Sequence, residues 1–141
     1  MAQLAAGAEQ IVRARVVDVR GQWDSAADGR RVIHTYVTCQ VGKTWKGPAA
    51  KTITLRFLGG QVGGTRMEIP EMPVFAVGEE SVLFIAGNGK AFCPLVGARY
   101  GRYRLVRDAK GLEEVARPDG GIAGRADDFE RAIAGRMAKI Q

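Results

Sequence analysis

The chain has 141 residues, 46% hydrophobic and 26% charged, the proportions of one ordinary globular domain, which excludes wholesale disorder. Lysine and arginine number 21 against 15 acidic residues; the excess permits attraction to polyanions, although the basic residues are scattered rather than run together. No span approaches the roughly 18 apolar residues of a membrane-crossing helix, so none is expected.

Residues 1–10, "MAQLAAGAEQ", read as a helical turn feeding the strand "IVRARVVDV". In that strand Val12, Ala14 and Val16 alternate with Arg13 and Arg15, the period of a half-buried strand. Asp28-Gly29 signals a hairpin turn. The next strand, "VIHTYVTCQV", sets Ile33, Thr35, Val37, Cys39 and Val41 on one face. His34, Tyr36, Thr38 and Gln40 fall on the other, which makes His34 an exposed strand histidine. Gly47-Pro48 breaks the chain before "KTITLRFL", where Ile53, Leu55 and Phe57 point inward.

"LGGQVGGTRMEIP" follows, with Gly59-Gly60 and Gly63-Gly64 and a short strand in "RMEI". Pro70 and Pro73 exclude a central strand from "PEMPVFAVGEE". "SVLFIAGNGKAFCPLVG" reads as an apolar strand, an Asn88-Gly89 turn of type I′ and a returning strand. "GRYRLVRDAKGLEEVAR" is one more hairpin, turning between Asp108 and Gly111. In residues 126–140, Phe129, Ile133, Met137 and Ile140 form one apolar helical stripe, with Asp127 and Asp128 at the positive end. Short strands with frequent turns and one closing helix predict a mostly β single domain over 1–141. The expected form is a small antiparallel OB-like barrel with a C-terminal α-helix, an open sandwich being the alternative.

The glycine pairs raise the question of a phosphate loop. A Walker loop needs a lysine and a hydroxyl residue after its last glycine, and Thr65-Arg66 stands there instead. A dinucleotide loop must open a helix, but the residues after Gly64 alternate toward a proline. The glycines are therefore read as a bend where a strand turns sharply, with a loop tip that can present Gln61, Thr65 and Arg66 to a partner.

Other constellations give no catalytic centre. Ser25 and Ser81 are the only serines and neither lies in GxSxG. His34 and Cys39 point to opposite faces of one strand. Glu79-Glu80 lies in a turn, Glu113-Glu114 on an edge-like strand and Asp127-Asp128 at a helix start, none a ready acid/base dyad. Cys39 and Cys93 lack metal spacing, and whether they pair or remain separate buried thiols is open. No cofactor or metal is expected. A nucleic-acid groove draws on Tyr36 and His34 from one strand, Arg56 from a second, and Arg102 and Arg104 with Tyr100 from a third.

Three stretches, "IVRARVVDVRGQWD", "HTYVTCQVGKTWKGP" and "TLRFLGGQVGG" with "PVFAVGEESVLF", together resemble a recurring exported bacterial domain without an assigned function. The likeness spans roughly residues 4–108. It implies a cleavable export signal, absent from "MAQLAAGAEQ", a periplasmic or extracellular location and no known catalytic centre. The expected barrel is similar in architecture to the tissue inhibitors of metalloproteases. The sequence thus leads to a non-enzymatic exported module binding a protein or other surface partner. Its expected contacts are Gly59, Gly60, Gly63, Gly64 and Arg66, together with Trp23 and Trp45, whose rings otherwise plug the barrel ends. A single-strand-binding barrel and a metalloprotease-inhibitor-like module are the alternatives.

Overall fold

The first strand runs further than its alternation indicates. In a computed structural model describing residues 2–140, a short helix α1 (Ala2–Gly7) leads into β1 (Gln10–Ser25). β1 pairs antiparallel with β2 (Arg31–Lys46) from Ile11↔Lys46 to Ser25↔Arg31, so the ladder carries Gly21 and Trp23 as well as the alternating run. The hairpin turns at Ala26–Arg30, where Gly29 has φ 86° and Asp28 Oδ1 accepts from the Arg30 amide at 3.0 Å. Register slips at Ile11/Val12, Arg13/Ala14 and Val16/Asp18 bend β1 and increase its twist.

Only the first half of β1 also pairs with β6 (Glu80–Ile85), from Gln10↔Ile85 to Arg15↔Glu80. β3 (Thr52–Leu58) joins the other side of β2. β7 (Arg102–Arg107), β8 (Glu113–Ala116) and β9 (Ile122–Arg125) continue beyond β6, giving the antiparallel order β3-β2-β1-β6-β7-β8-β9. β4 (Gly60–Val62) and β5 (Thr65–Met67) form a separate two-stranded ribbon, and α2 (Ala126–Ile140) ends the chain. The coarse expectation of a mostly β domain with a C-terminal helix therefore holds.

Two cores form on the two faces of the sheet. On the inner face Val12, Val16, Val37, Leu55, Phe57, Leu83 and Ile85 pack together under Phe75 and Leu95. On the outer face α1 and α2 bring Ala5, Ala8, Ile133 and Met137 against Ile11, Val82 and Phe84. Ile133 and Met137 each contribute about 1.5–3 kcal/mol by leaving water, which anchors α2 despite Gly135. The backbone of Ile140 belongs to α2, but its side chain lies outside the described residues.

Two local expectations are corrected. Asn88-Gly89 is not a type I′ hairpin, because Gly87 and Gly89 take φ 71° and 85° while Asn88 does not have a positive φ. No strand returns; Leu95 makes one isolated bridge to Ile85. The physical reason is β3. Its outer edge is occupied by Asn88, whose Oδ1 accepts from the Arg56 amide at 3.0 Å and whose Nδ2 donates to Thr54 O at 2.8 Å. The Leu58 amide then donates to Phe92 O at 2.8 Å, so this loop satisfies an edge that would otherwise be open. Glu113-Glu114 is not on an edge either, since β9 lies beyond β8.

Candidate functional site

The doubled glycines are where the chain leaves the sheet and folds back over it. Gly59 still donates its amide to Ile33 O at 2.7 Å, and Thr35 Oγ1 donates to Gly59 O at 2.7 Å. Gly59 and Gly60 take φ 97° and 139°, in the region that disfavours side chains. A Cβ on Gly59 would stand 2.9 Å from Met67 O, and one on Gly60 would collide with Thr35 Oγ1. β4 then crosses β1 at Gly21, where any Cβ would strike the Gln61 carbonyl. The second pair differs. Gly63 and Gly64 join β4 to β5 at Val62↔Thr65, with φ 56° at Gly63 and nothing within 4 Å of an added Cβ at either. β5, not a helix, follows them, so this loop does not open a helix.

This crossing creates a cleft of about 800 Å3 between the ribbon, the segment 67–75 and the inner sheet face. Val37, Phe57 and Phe75 form its floor, with the Phe57 and Phe75 rings 5.1 Å apart. Met67, Ile69 and Met72 form its wall. The far wall is pinned by Arg102, which donates to Val74 O at 2.5 Å and lies 4.6 Å over the Phe75 ring. Burial pulls the Arg102 guanidinium below its ordinary pKa, against the favourable field of Glu79. At the rim, Arg66 pairs with Glu68 at 2.8 Å and Val74 is 79% exposed. Two other depressions, each of about 210 Å3, are smaller and more polar-lined.

The expected contact residues separate. Gly59, Gly60 and Arg66 line the cleft, while Gly63 and Gly64 form the ribbon tip outside its lining. Trp23 lies two residues beyond Gly21 on β1, half in solvent under the Arg31 guanidinium at 4.7 Å. Trp45 is elsewhere: it packs at the margin of the helix-covered core, beneath Lys43 at 5.1 Å, and its Nε1 is buried without a partner. Met67, Met72 and Phe75 were not singled out by sequence. Met72 lies between Pro70 and Pro73 and Phe75 just beyond them, in a segment with neither strand nor helix period, while Met67 falls in the expected short strand "RMEI".

His34 is buried, not exposed. Asp24, across the β1–β2 hairpin, accepts from Tyr36 Oη at 2.6 Å and lies 2.8 Å from His34 Nδ1, while Gln22 donates to its other oxygen at 2.9 Å. The Tyr36 hydrogen bond, with help from Gln22 and His34, pulls the Asp24 carboxyl down to about 2. Bonding to that carboxylate raises the Tyr36 phenol.

Both cysteines are free thiols at the inner core. Burial pushes Cys39 up to about 11 and raises Cys93, which keeps both protonated and weakly nucleophilic at neutral pH. Among the described residues no group of three or more His, Cys, Asp or Glu is placed to hold a metal ion, and no helix is long and apolar enough to cross a membrane. Comparison with protein-family models, with curated proteins and with solved structures found no match to this chain.

Proposed function

We propose that this chain is a non-enzymatic, exported binding domain whose cleft receives an apolar segment of a protein partner. The observation that carries this reading is the cleft itself, a volume within the range of ligand sites, walled by a glycine-dependent crossing and two methionines. Methionine side chains adapt to varied apolar surfaces, and the rim supplies one cation and one anion for orientation. Trp23 stands beside the crossing and offers a further aromatic contact.

The finer architecture we infer is an OB-like barrel. Its support is the way Asn88 and Phe92, in the segment after β6, bond the outer edge of β3, while β6 itself pairs with β1. Strand contacts thus run from β1 through β2, β3 and that segment back to β6 around the inner core. Export rests on the three stretches that resemble an exported bacterial domain.

Selection of short random peptides displayed on phage against the immobilised domain tests the binding reading. Apolar sequences are expected to be enriched, and Met67→Lys with Met72→Lys is expected to weaken their binding by about tenfold or more, a loss of about 1.4 kcal/mol or more. No enrichment, or binding indifferent to both changes in a folded variant, would overturn it.

A further inference from the structure

The outer face of the sheet is covered by α2 at one end and bare at the other. At the covered end lie Ile11, Arg13, Lys43 and Trp45. Beyond the Val16/Asp18 slip the face carries three registered rows across β1, β2 and β3. They are Asp18·Thr38·Thr54, then Arg20·Tyr36·Arg56, then Gln22·His34·Leu58. Adjacent strands lie about 4.8 Å apart, so the middle row sets a guanidinium about one strand spacing to either side of a phenol ring.

Three observations separate this row from ordinary surface charge. Among the described residues no carboxylate lies within ion-pair distance of Arg20 or Arg56, a property they share with Arg31 and Arg102, which lie over the Trp23 and Phe75 rings, whereas Arg13, Arg15, Arg30, Arg66, Arg104 and Arg125 all have one. The Nε of Arg56 is buried without a partner, a state that calls for a cause. The Tyr36 ring is fixed in place: Asp24 holds its hydroxyl, His34 meets it edge-on at 6.3 Å, and the Arg20 guanidinium lies over one of its faces, 5.7 Å from the centroid.

We propose that this row is a binding site for single-stranded nucleic acid, with a base stacked on the Tyr36 face opposite Arg20 and flanking phosphates held by Arg20 and Arg56. Base-on-aromatic stacking needs an aromatic face, and phosphate needs cations not already neutralised; the row supplies both. Thr38 and Thr54, whose hydroxyls lie 3.2 Å apart in the next row, extend the polar track. Asp24 is engaged by its three neighbours. Asp18, one row away, is the opposing charge, so Asp18→Asn is expected to tighten binding. None of the three residues lines the cleft, so this site and the peptide site stand or fall separately.

The test is fluorescence anisotropy of a labelled single-stranded oligothymidylate with the full chain. Two phosphate contacts predict a drop in affinity of about sevenfold between about 50 and 200 mM salt. Arg20→Ala with Arg56→Ala is expected to weaken binding at least tenfold. Tyr36→Leu is expected to weaken it severalfold, while Tyr36→Phe, which keeps the ring, retains it. Should Tyr36→Leu fail to fold, the paired arginine variant and Tyr36→Phe still decide. Absence of binding at low salt, or binding that survives loss of both arginines, would overturn the proposal. So would a sulfated polysaccharide bound as tightly per charge with no dependence on the Tyr36 ring, because that would assign the face to sulfate alone.

Discussion

Arg13 and Arg56 lie on strands of one sheet and have opposite surroundings. Arg13, beneath α2, donates to Glu80 of β6 at 3.1 Å, Glu113 of β8 at 2.8 Å and Glu130 of α2 at 2.7 Å. Burial alone would lower its pKa, but the hydrogen bonds to Glu80 and Glu113 outweigh that and raise it. Arg56, on the bare end, has no carboxylate and an unpartnered buried Nε. A cation surrounded by carboxylates from three elements joins the fold, as do Arg102 and Lys46, which the Val74 and Ala5 carbonyls engage; a cation with neither kind of partner is available to a ligand. The glycine pairs teach the same distinction on the other face. Gly60 is pressed against Thr35, and Gly64 touches nothing.

The largest effect is expected at that contact. Gly60→Ala must place a Cβ against Thr35 at φ 139°, and a loss of about 3–4 kcal/mol in urea unfolding is expected, against about zero for Gly64→Ala. Equal effects at the two would erase the distinction between a committed and an idle glycine.

A smaller loss, carrying a pH signature, is expected at Asp24→Asn. With its carboxyl at about 2 in the fold and 3.8 as its ordinary value, Asp24 stabilises the folded state fully above about pH 4. That contribution is lost as the pH falls through about 2. The variant should therefore be less stable by about 1–2 kcal/mol at pH 7, with the difference vanishing near pH 2. A difference that persists unchanged at pH 2 would show that the Asp24–Tyr36–His34 network does not depend on charge.

Much of the strand layout was legible because alternation reports which residues share a face. Val12, Ala14 and Val16, and Ile33 through Val41, are placed on β1 and β2 as their pattern indicates. The apolar stripe of α2 buries Ile133 and Met137 as expected. What alternation cannot report is what stands opposite a polar residue in space. His34 is buried because Asp24, ten residues earlier, is folded beside it by the hairpin. The loop at Asn88 departs from its turn signal because its amide is engaged by β3. Arg13 looked like an outward strand residue until Glu80, Glu113 and Glu130 converged on it from separate elements. The cleft was half legible: the glycine bend and the "RMEI" strand bearing Met67 marked part of it, while Met72, between two prolines, lacked any period to mark it. Of the predicted nucleic-acid groove, Tyr36 and Arg56 lie together, whereas Arg102 is engaged by Val74 and Phe75, and Arg104 by Glu79.

Bonded partners, carboxylate or carbonyl, divide the cations of this sheet into those that hold the fold and those left to bind. One paired measurement tests it: urea unfolding and oligothymidylate anisotropy on Arg13→Ala and on Arg20→Ala with Arg56→Ala. Removing Arg13 leaves three carboxylates facing one another and should lower stability by about 3 kcal/mol, while binding by the remaining folded protein persists. Removing Arg20 and Arg56 should change stability by less than about 0.5 kcal/mol and weaken binding at least tenfold. Stability lost in the second variant with binding intact would show that Arg20 and Arg56 serve the fold and not a ligand.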